Sequence, residues 1–257
     1  MSILSSAKSV LRRPISISAH QQHHSRKMHI QSIPMWEGKG NNYAYLVTDD
    51  KTKDAVIIDP ANPSEVLPHL KKAVDSGYKL KHIINTHHVP IIGGKDCAEV
   101  NKTPANNETF TIGENIKVRA LCTPCHTQDS ICYFMEDGNE RVVFTGDTLF
   151  IGGTPEEMDT ALNRVLAALP DDTKVYPGHE YTKGNAKFGI HVVQDEAVKK
   201  LESFAESNKQ TQGKSTMGDE KKWNVFMRLE DPAIQKFTGK TNRVDVMSAL
   251  REGKNNM

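Results

Sequence analysis

From Met28 onward the chain alternates short apolar runs with polar turns. NYAYLVT (42–48), the polar break DDKTKD and AVIIDP (55–60) read as a hairpin of two strands. In PSEVLPHLKKAVDS (63–76), Val66, Leu67, Leu70 and Val74 recur at helical spacing behind a Pro-Ser start, and KLKHIINTHH (79–88) follows as a strand. Strand, helix, strand predicts a layered α/β arrangement. The second half repeats the theme with IKVRALCTP, DSICYFMED, a Gly-Asn turn and RVVFTGD. In both halves a hairpin's second strand ends in an aspartate, which points to an internal two-fold duplication too long for a solenoid repeat. PEEMDTALNRVLAALP then predicts a helix, TKVYPGHEYT a strand running into a polar loop, and 184–207 a further helix. NKQTQGKSTMGDE (208–220) has linker composition, and WNVFMRLEDP and VDVMSALREGK predict a mostly helical tail. These shifts divide the chain into residues 1–27, a domain at 28–183 and a helical domain at 184–257.

With 257 residues and 37% apolar content, the chain is long enough to bury a real core. No apolar run approaches the roughly 20 residues that cross a bilayer, so no membrane role is expected. The 33 basic and 32 acidic residues are unevenly spread. Residues 1–27 hold five basic residues (Lys8, Arg12, Arg13, Arg26, Lys27), no acid and many serines, the composition of a mitochondrial transit peptide. The expected location is the mitochondrial matrix, with Met28 as an internal start that would give a cytosolic form. Without that leader, 28 basic residues face 32 acidic ones, which gives no electrostatic argument for nucleic acid. Four cysteines (Cys97, Cys122, Cys125, Cys132) without a secretory signal imply reduced thiols. CTPCH (122–126) formally fits the haem-attachment pattern, but it follows a strand-like run and nothing around it resembles a small helical cytochrome.

Candidate chemistry sits at strand ends: Thr86-His87-His88, Thr123-Pro-Cys-His126, Thr145-Gly-Asp147 and Tyr176-Pro-Gly-His179. Imidazoles and a carboxylate gathered from separate strand ends can hold a metal ion, which lowers the pKa of bound water. A single histidine near a strand end is more often structural; the ordered set carries the argument.

Those residues, with VYPGHEYT, FTGDTLF, TPCHTQDSICY and FMRLEDP as they stand, resemble glyoxalase II, the hydroxyacylglutathione hydrolase of the metallo-β-lactamase superfamily. The similarity runs over roughly residues 28–257. It implies an α/β fold, a metallo-β-lactamase-like αββα sandwich followed by a small C-terminal α-helical domain that helps to bind glutathione. It implies a binuclear zinc or iron site and hydrolysis of S-(2-hydroxyacyl)glutathione thioesters, chiefly S-D-lactoylglutathione, to glutathione and D-lactate. By that resemblance Asp147 bridges the metals and is catalytic, His87 and His126 serve the first ion, and His179 serves the second. Tyr181 would contact the peptide part of glutathione, and Arg251 and Lys254 would hold its glycine carboxylate. Composition alone would place that last pair on a solvated helix face. The expected partner is a small-molecule glutathione thioester, met by a monomer.

The chain departs from the family pattern in two places. The family's Thr-His-x-His-x-Asp-His falls on Thr86, His87, His88, Val89, Pro90, Ile91 and Ile92, so three of four ligands are missing, and His88 would face away from His87 on a continuing strand. A glutathione-contacting segment is also missing between Gly153 and Thr154. Loss of whole segments with intact flanks points to a splicing variant or a mis-assembled coding sequence. It predicts an incomplete sandwich with an exposed apolar edge, one metal ion or none held well, and impaired hydrolysis. Two other readings remain: a mono-iron persulfide dioxygenase-like activity on His87, His126 and Asp147, or a non-catalytic glutathione-conjugate binding module.

Overall fold

The computed structural model describes residues 28–87, 102–149 and 153–257. Residues 1–27, read as a transit peptide, His88, the run through Val89 to Ile92, Cys97 and the Phe150 to Gly152 stretch lie outside the described residues.

The first sheet is ordered β1-β2-β3-β4, from β1 (Met28–Met35), β2 (Asn42–Asp49), β3 (Asp54–Ile58) and β4 (Lys79–Ile84). β2 and β3 form the expected hairpin, and helix α1 (Pro63–Asp75) crosses over so that β4 pairs parallel to β3. The second sheet is ordered β5 (Thr109–Ile112), β6 (Ile116–Cys122), β7 (Ile131–Asp137), β8 (Glu140–Gly146) and β9 (Lys174–Pro177). It repeats the plan: β7 and β8 are antiparallel, and β9 returns parallel to β8. The duplication read from the sequence is therefore structural.

Side-chain alternation divides the core into layers. Tyr43, Tyr45 and Val47 of β2 point between the sheets with Val142 and Phe144 of β8, while Ala44 and Leu46 face α1 through Val66. Val143 of β8 points outward onto the helices. This α/β/β/α order matches the expected architecture.

On the helical side, α2 (Pro155–Asp159) opens with a capping box from Thr154 and continues into a π-type turn over Thr160–Val165. The expected single helix at 184–207 is two, α3 (Thr182–Val192) and α4 (Glu196–Ser207). The break follows from Asp195, which caps α4 at Val198 N and so sets a helix start inside the run. Residues 208–220 are not a free linker. Gly213 N donates to Val175 O, Val175 N to Ser215 O and Met217 N to Thr173 O, so this polar segment supplies backbone partners to the open edge of β9. It leads into α5 (Met217–Trp223), then α6 (Pro232–Thr238) and α7 (Arg243–Asn255). Arg243 ties α7 to α2 through two hydrogen bonds to the Asp159 carboxylate.

β4 closes one end of its sheet, and Lys79 to His82 along it are exposed. Leu80 lies open on this edge, and Leu67 and Val74 are exposed on α1. Of the apolar edge expected where sequence is missing, the described residues of β4 show Leu80 alone, beside the polar Lys79, Lys81 and His82. A cleft of about 570 Å³ lies here, lined by Leu80, Ile84, Phe110 and Tyr133 among others.

Candidate metal centre

The four strand-end motifs converge on one rim of the sandwich. His87 follows β4, His126 lies in the loop after β6, Asp147 follows β8 and His179 follows β9. His87 Nε2 is 3.8 Å and His126 Nε2 3.5 Å from Asp147 Oδ2, and the two imidazoles stand edge to face at 5.1 Å. His179 Nδ1 is 2.5 Å from Asp147 Oδ1, and the Tyr181 ring stacks on His179 at 4.8 Å.

Glycines make this approach feasible. Gly146 has φ +49°, and a Cβ there would meet Thr86 Oγ1 at 2.1 Å; a Cβ on Gly178 would meet Asp147 Oδ1 at 2.5 Å. Any side chain at either position would push the donors apart.

Asp59 supports His87 from behind. Its carboxylate accepts from Thr86 N at 2.7 Å and Thr86 Oγ1 at 2.8 Å, and Thr86 Oγ1 lies 2.8 Å from His87 Nδ1. This chain fixes the His87 ring with Nε2 toward Asp147. Burial raises the Asp59 carboxyl above its ordinary range, against the opposing pull of His87 and the Thr86 bonds. Burial also pushes on Asp147, but the His179 hydrogen bond and the surrounding imidazoles outweigh it and leave that carboxyl below the ordinary range. Asp147 is thus held as an anion, the form that binds metal.

Asp59 was not read as a site residue from the sequence, and Thr86, Gly146 and Gly178 stood inside the candidate motifs without a role of their own. A signal for Asp59 existed: its strand ends in an aspartate at the place that corresponds to Asp147 in the duplicated half.

The donor set fits one ion. Metal bonds to imidazole and carboxylate are about 2.0–2.2 Å, which puts neighbouring donors roughly 3–3.5 Å apart. The 3.5 and 3.8 Å separations from Asp147 need a contraction of only a few tenths of an ångström, and all three donor atoms lie within 4.8 Å of one another. His87, His126 and Asp147 form the metal-competent group found among the described residues.

The helical side brings up the remaining predicted residues. Arg251 Nη1 donates to Gly153 O at 2.5 Å. Lys254 donates to Asn185 Oδ1, and Asn185 N bonds Tyr181 O, so Lys254 reaches the first turn of the helix that Tyr181 precedes. Lys254 is part-buried, 5.6 Å from the Phe226 ring centre, and burial lowers its pKa to about 8. That is not a solvated helix face.

Comparison with known proteins decides the family. A probable hydroxyacylglutathione hydrolase of Schizosaccharomyces pombe is 46% identical, with 88% of this chain and 98% of the relative aligned. This chain belongs to the hydroxyacylglutathione hydrolase family. The hydroxyacylglutathione hydrolase C-terminus family matches residues 180–257, and the metallo-beta-lactamase superfamily matches 100–205. The mitochondrial hydroxyacylglutathione hydrolase of Saccharomyces cerevisiae is 38% identical over 90% of this chain and 97% of its own, and the cytoplasmic isozyme of that yeast 40% identical over 90% and 100%. Among solved structures, ETHE1 from Myxococcus xanthus superposes with a TM-score of 0.59 at 25% identity, covering 87% of this chain and 90% of that one.

The alignment with the Schizosaccharomyces pombe hydrolase extends over 252 positions but takes up 88% of this chain, about 226 residues. About 26 positions of that relative therefore have no counterpart here. The superfamily match begins only at residue 100, beyond β4 and the His87 motif. Family membership makes this a chain of a metal-dependent thioester hydrolase family, and His87, His126 and Asp147 give it a place for metal.

Proposed function

We propose that this chain hydrolyses S-(2-hydroxyacyl)glutathione thioesters, S-D-lactoylglutathione among them, more slowly than its yeast relatives do. The observation that carries the reading is the convergence of His87, His126 and Asp147 on a rim that also carries Tyr181, in a member of this family. Zinc or iron is the ion these donors suit, and when bound it supplies Lewis acidity and a more acidic water.

The remaining work falls to the chain. Asp147 supplies the anionic donor, and Asp59 and Thr86 hold His87 in its orientation. Tyr181 presents a ring and hydroxyl to the peptide part of glutathione beside the donors. Lys254 and Arg251, on the helical region from residue 184, attract the glycine carboxylate and so orient the thioester across the rim. Slower turnover follows from the roughly 26 missing positions and from β4, the exposed edge strand that carries His87. The leader at 1–27 would take the chain to mitochondria, and a start at Met28 would leave it in the cytosol. The S. cerevisiae relatives occupy both addresses by name.

The test is side-by-side hydrolysis of S-D-lactoylglutathione by this chain and the S. pombe relative, each loaded with zinc. Measurable but reduced kcat/KM that Asp147→Ala abolishes is expected; turnover equal to the relative's, or none above that variant, refutes the reading. A second reading is favoured by the donor set, since two histidines and a carboxylate suit mononuclear iron(II). Oxygen uptake with glutathione persulfide would establish it.

A further inference from the structure

We infer that this chain holds one metal ion rather than two, with Asp147 as a ligand through Oδ2 alone and His179 as the residue that positions it. The inference rests on the reading of Asp147 as a ligand.

The two oxygens of Asp147 have different partners. Oδ2 faces His87 Nε2 and His126 Nε2 at 3.8 and 3.5 Å, the spacing of donors around a shared ion. Oδ1 lies 2.5 Å from His179 Nδ1, the spacing of a direct, charge-assisted hydrogen bond. Two donors on one ion stand roughly 3 Å apart or more, so no ion fits between Oδ1 and Nδ1. A two-metal site needs a second ion about 3.5–4 Å from the first, on that same side of the carboxylate.

The side is also closed by backbone. Gly178 packs so tightly that its Cβ would stand 2.5 Å from Oδ1. Its N–H donates to Gly146 O and its carbonyl accepts from Tyr43 N, both at 2.9 Å; Glu180 N donates to Asn41 O at 3.0 Å. An isolated bridge joins Asn42 to His179 itself, and Tyr181 stacks flat on the imidazole. The loop is thus clamped on both sides of His179, and swinging the ring away from Oδ1 would break several of these contacts together. Among the described residues, His179 is not part of the donor group that could share an ion. Its action is that of a partner behind the ligand: it donates Nδ1–H to Oδ1 and turns Oδ2 toward the two other imidazoles.

The experiment is metal counting on the full chain by native mass spectrometry and elemental analysis, after titration with zinc and, without air, with iron(II). Cobalt(II) absorption provides a spectroscopic readout of the same site. The expected result is one ion per chain, lost in His87→Ala and in Asp147→Asn. His179→Ala should still take one ion at saturating metal, with affinity lower by roughly 10–100-fold and a changed cobalt spectrum. His179→Asn, which can still donate an N–H to Oδ1, should recover part of that affinity. Two ions per chain, no ion, or loss of the ion in His179→Ala at any metal concentration would overturn the inference. The count is independent of turnover. A two-ion chain that hydrolyses the thioester defeats the inference and leaves the proposed function standing, whereas a one-ion chain without hydrolysis does the reverse.

Discussion

Lys254 is a cation the fold stabilises poorly. Its pKa falls from 10.5 to about 8 through burial, and no carboxylate lies within ion-pair reach of it among the described residues. That lowering corresponds to roughly 3 kcal/mol of unfavourable charge burial. The folded-state pKa lies below the unfolded one. Below about pH 8 the lysine is charged in both states and the full penalty is present. Between about 8 and 10.5 the unfolded chain binds more protons, so stability rises with pH through that window. Lys254→Met keeps most of the stem and removes the charge. It forfeits the bond to Asn185 and the contact with the Phe226 ring, together roughly 1 kcal/mol. The expected net gain at pH 7 is about 1–3 kcal/mol in urea unfolding, shrinking as pH rises from about 8 and turning into a small loss by about 10.5, where the charge penalty is gone and the lost contacts remain. Calorimetry should show the opposite sign for function, with weaker glutathione binding by the variant. A variant that is less stable than the parent at pH 7, by an amount that does not change with pH, would refute the reasoning.

Three other perturbations follow from the same geometry. Thr86→Val removes the hydroxyl between Asp59 and His87, and zinc affinity by calorimetry should fall roughly 10–100-fold; unchanged affinity would show that the ring is held another way. Burial raises the Glu220 carboxyl above 4.5, so Glu220→Gln should stabilise the fold at neutral pH, and urea titrations should show that gain fading as pH falls toward 4.5, where the unfolded-state carboxyl also becomes neutral. Arg243→Ala leaves the buried Asp159 carboxylate without its two-pronged partner and should cost about 3–5 kcal/mol of unfolding free energy, with a loss under 1 kcal/mol counting against α7 being anchored there.

The sandwich was legible in the sequence where apolar runs of strand length stood between polar turns. β6 alternates as a half-buried strand does, β2, β3, β7 and β8 carry the near-continuous apolar runs of strands buried on both faces, and α1 carries a helical stripe behind its proline start. β1 was not singled out, because MHIQSIPM interrupts its apolar positions with Gln31, Ser32 and Pro34; an edge strand accommodates such a proline. β5 is only four residues long, too short to show a period. Residues 208–220 read as a linker because composition reports side chains, whereas this segment is held by its backbone and by Glu180, which accepts from Thr211 and Gln212. At the site, the sequence order of His87, His126, Asp147 and His179 was readable, and so was their common rim. The division of Asp147 between two sets of partners was not, because it depends on how tightly Gly146 and Gly178 let neighbouring strands approach.

The placement of the donors determines where this site is weak. His126, Asp147 and His179 all extend from the second sheet, whose five strands pair continuously; His87 alone among these donors comes from the first. It stands beyond the end of an edge strand with four exposed residues. Against that exposure, Thr86 joins the sheets through Ile131 N to Thr86 O at 2.7 Å, and Tyr45 hydroxyl to Pro177 carbonyl makes a second tie. Local opening of β4 would therefore remove one ligand while the other two stay in place. Observed metal affinity then equals the intrinsic affinity scaled by the fraction of chains with β4 docked. On the proposed reading, the missing sequence would weaken metal binding even with His87, His126 and Asp147 retained, because it would act on the strand that presents His87. By the same linkage, a bound ion stabilises the docked edge it depends on.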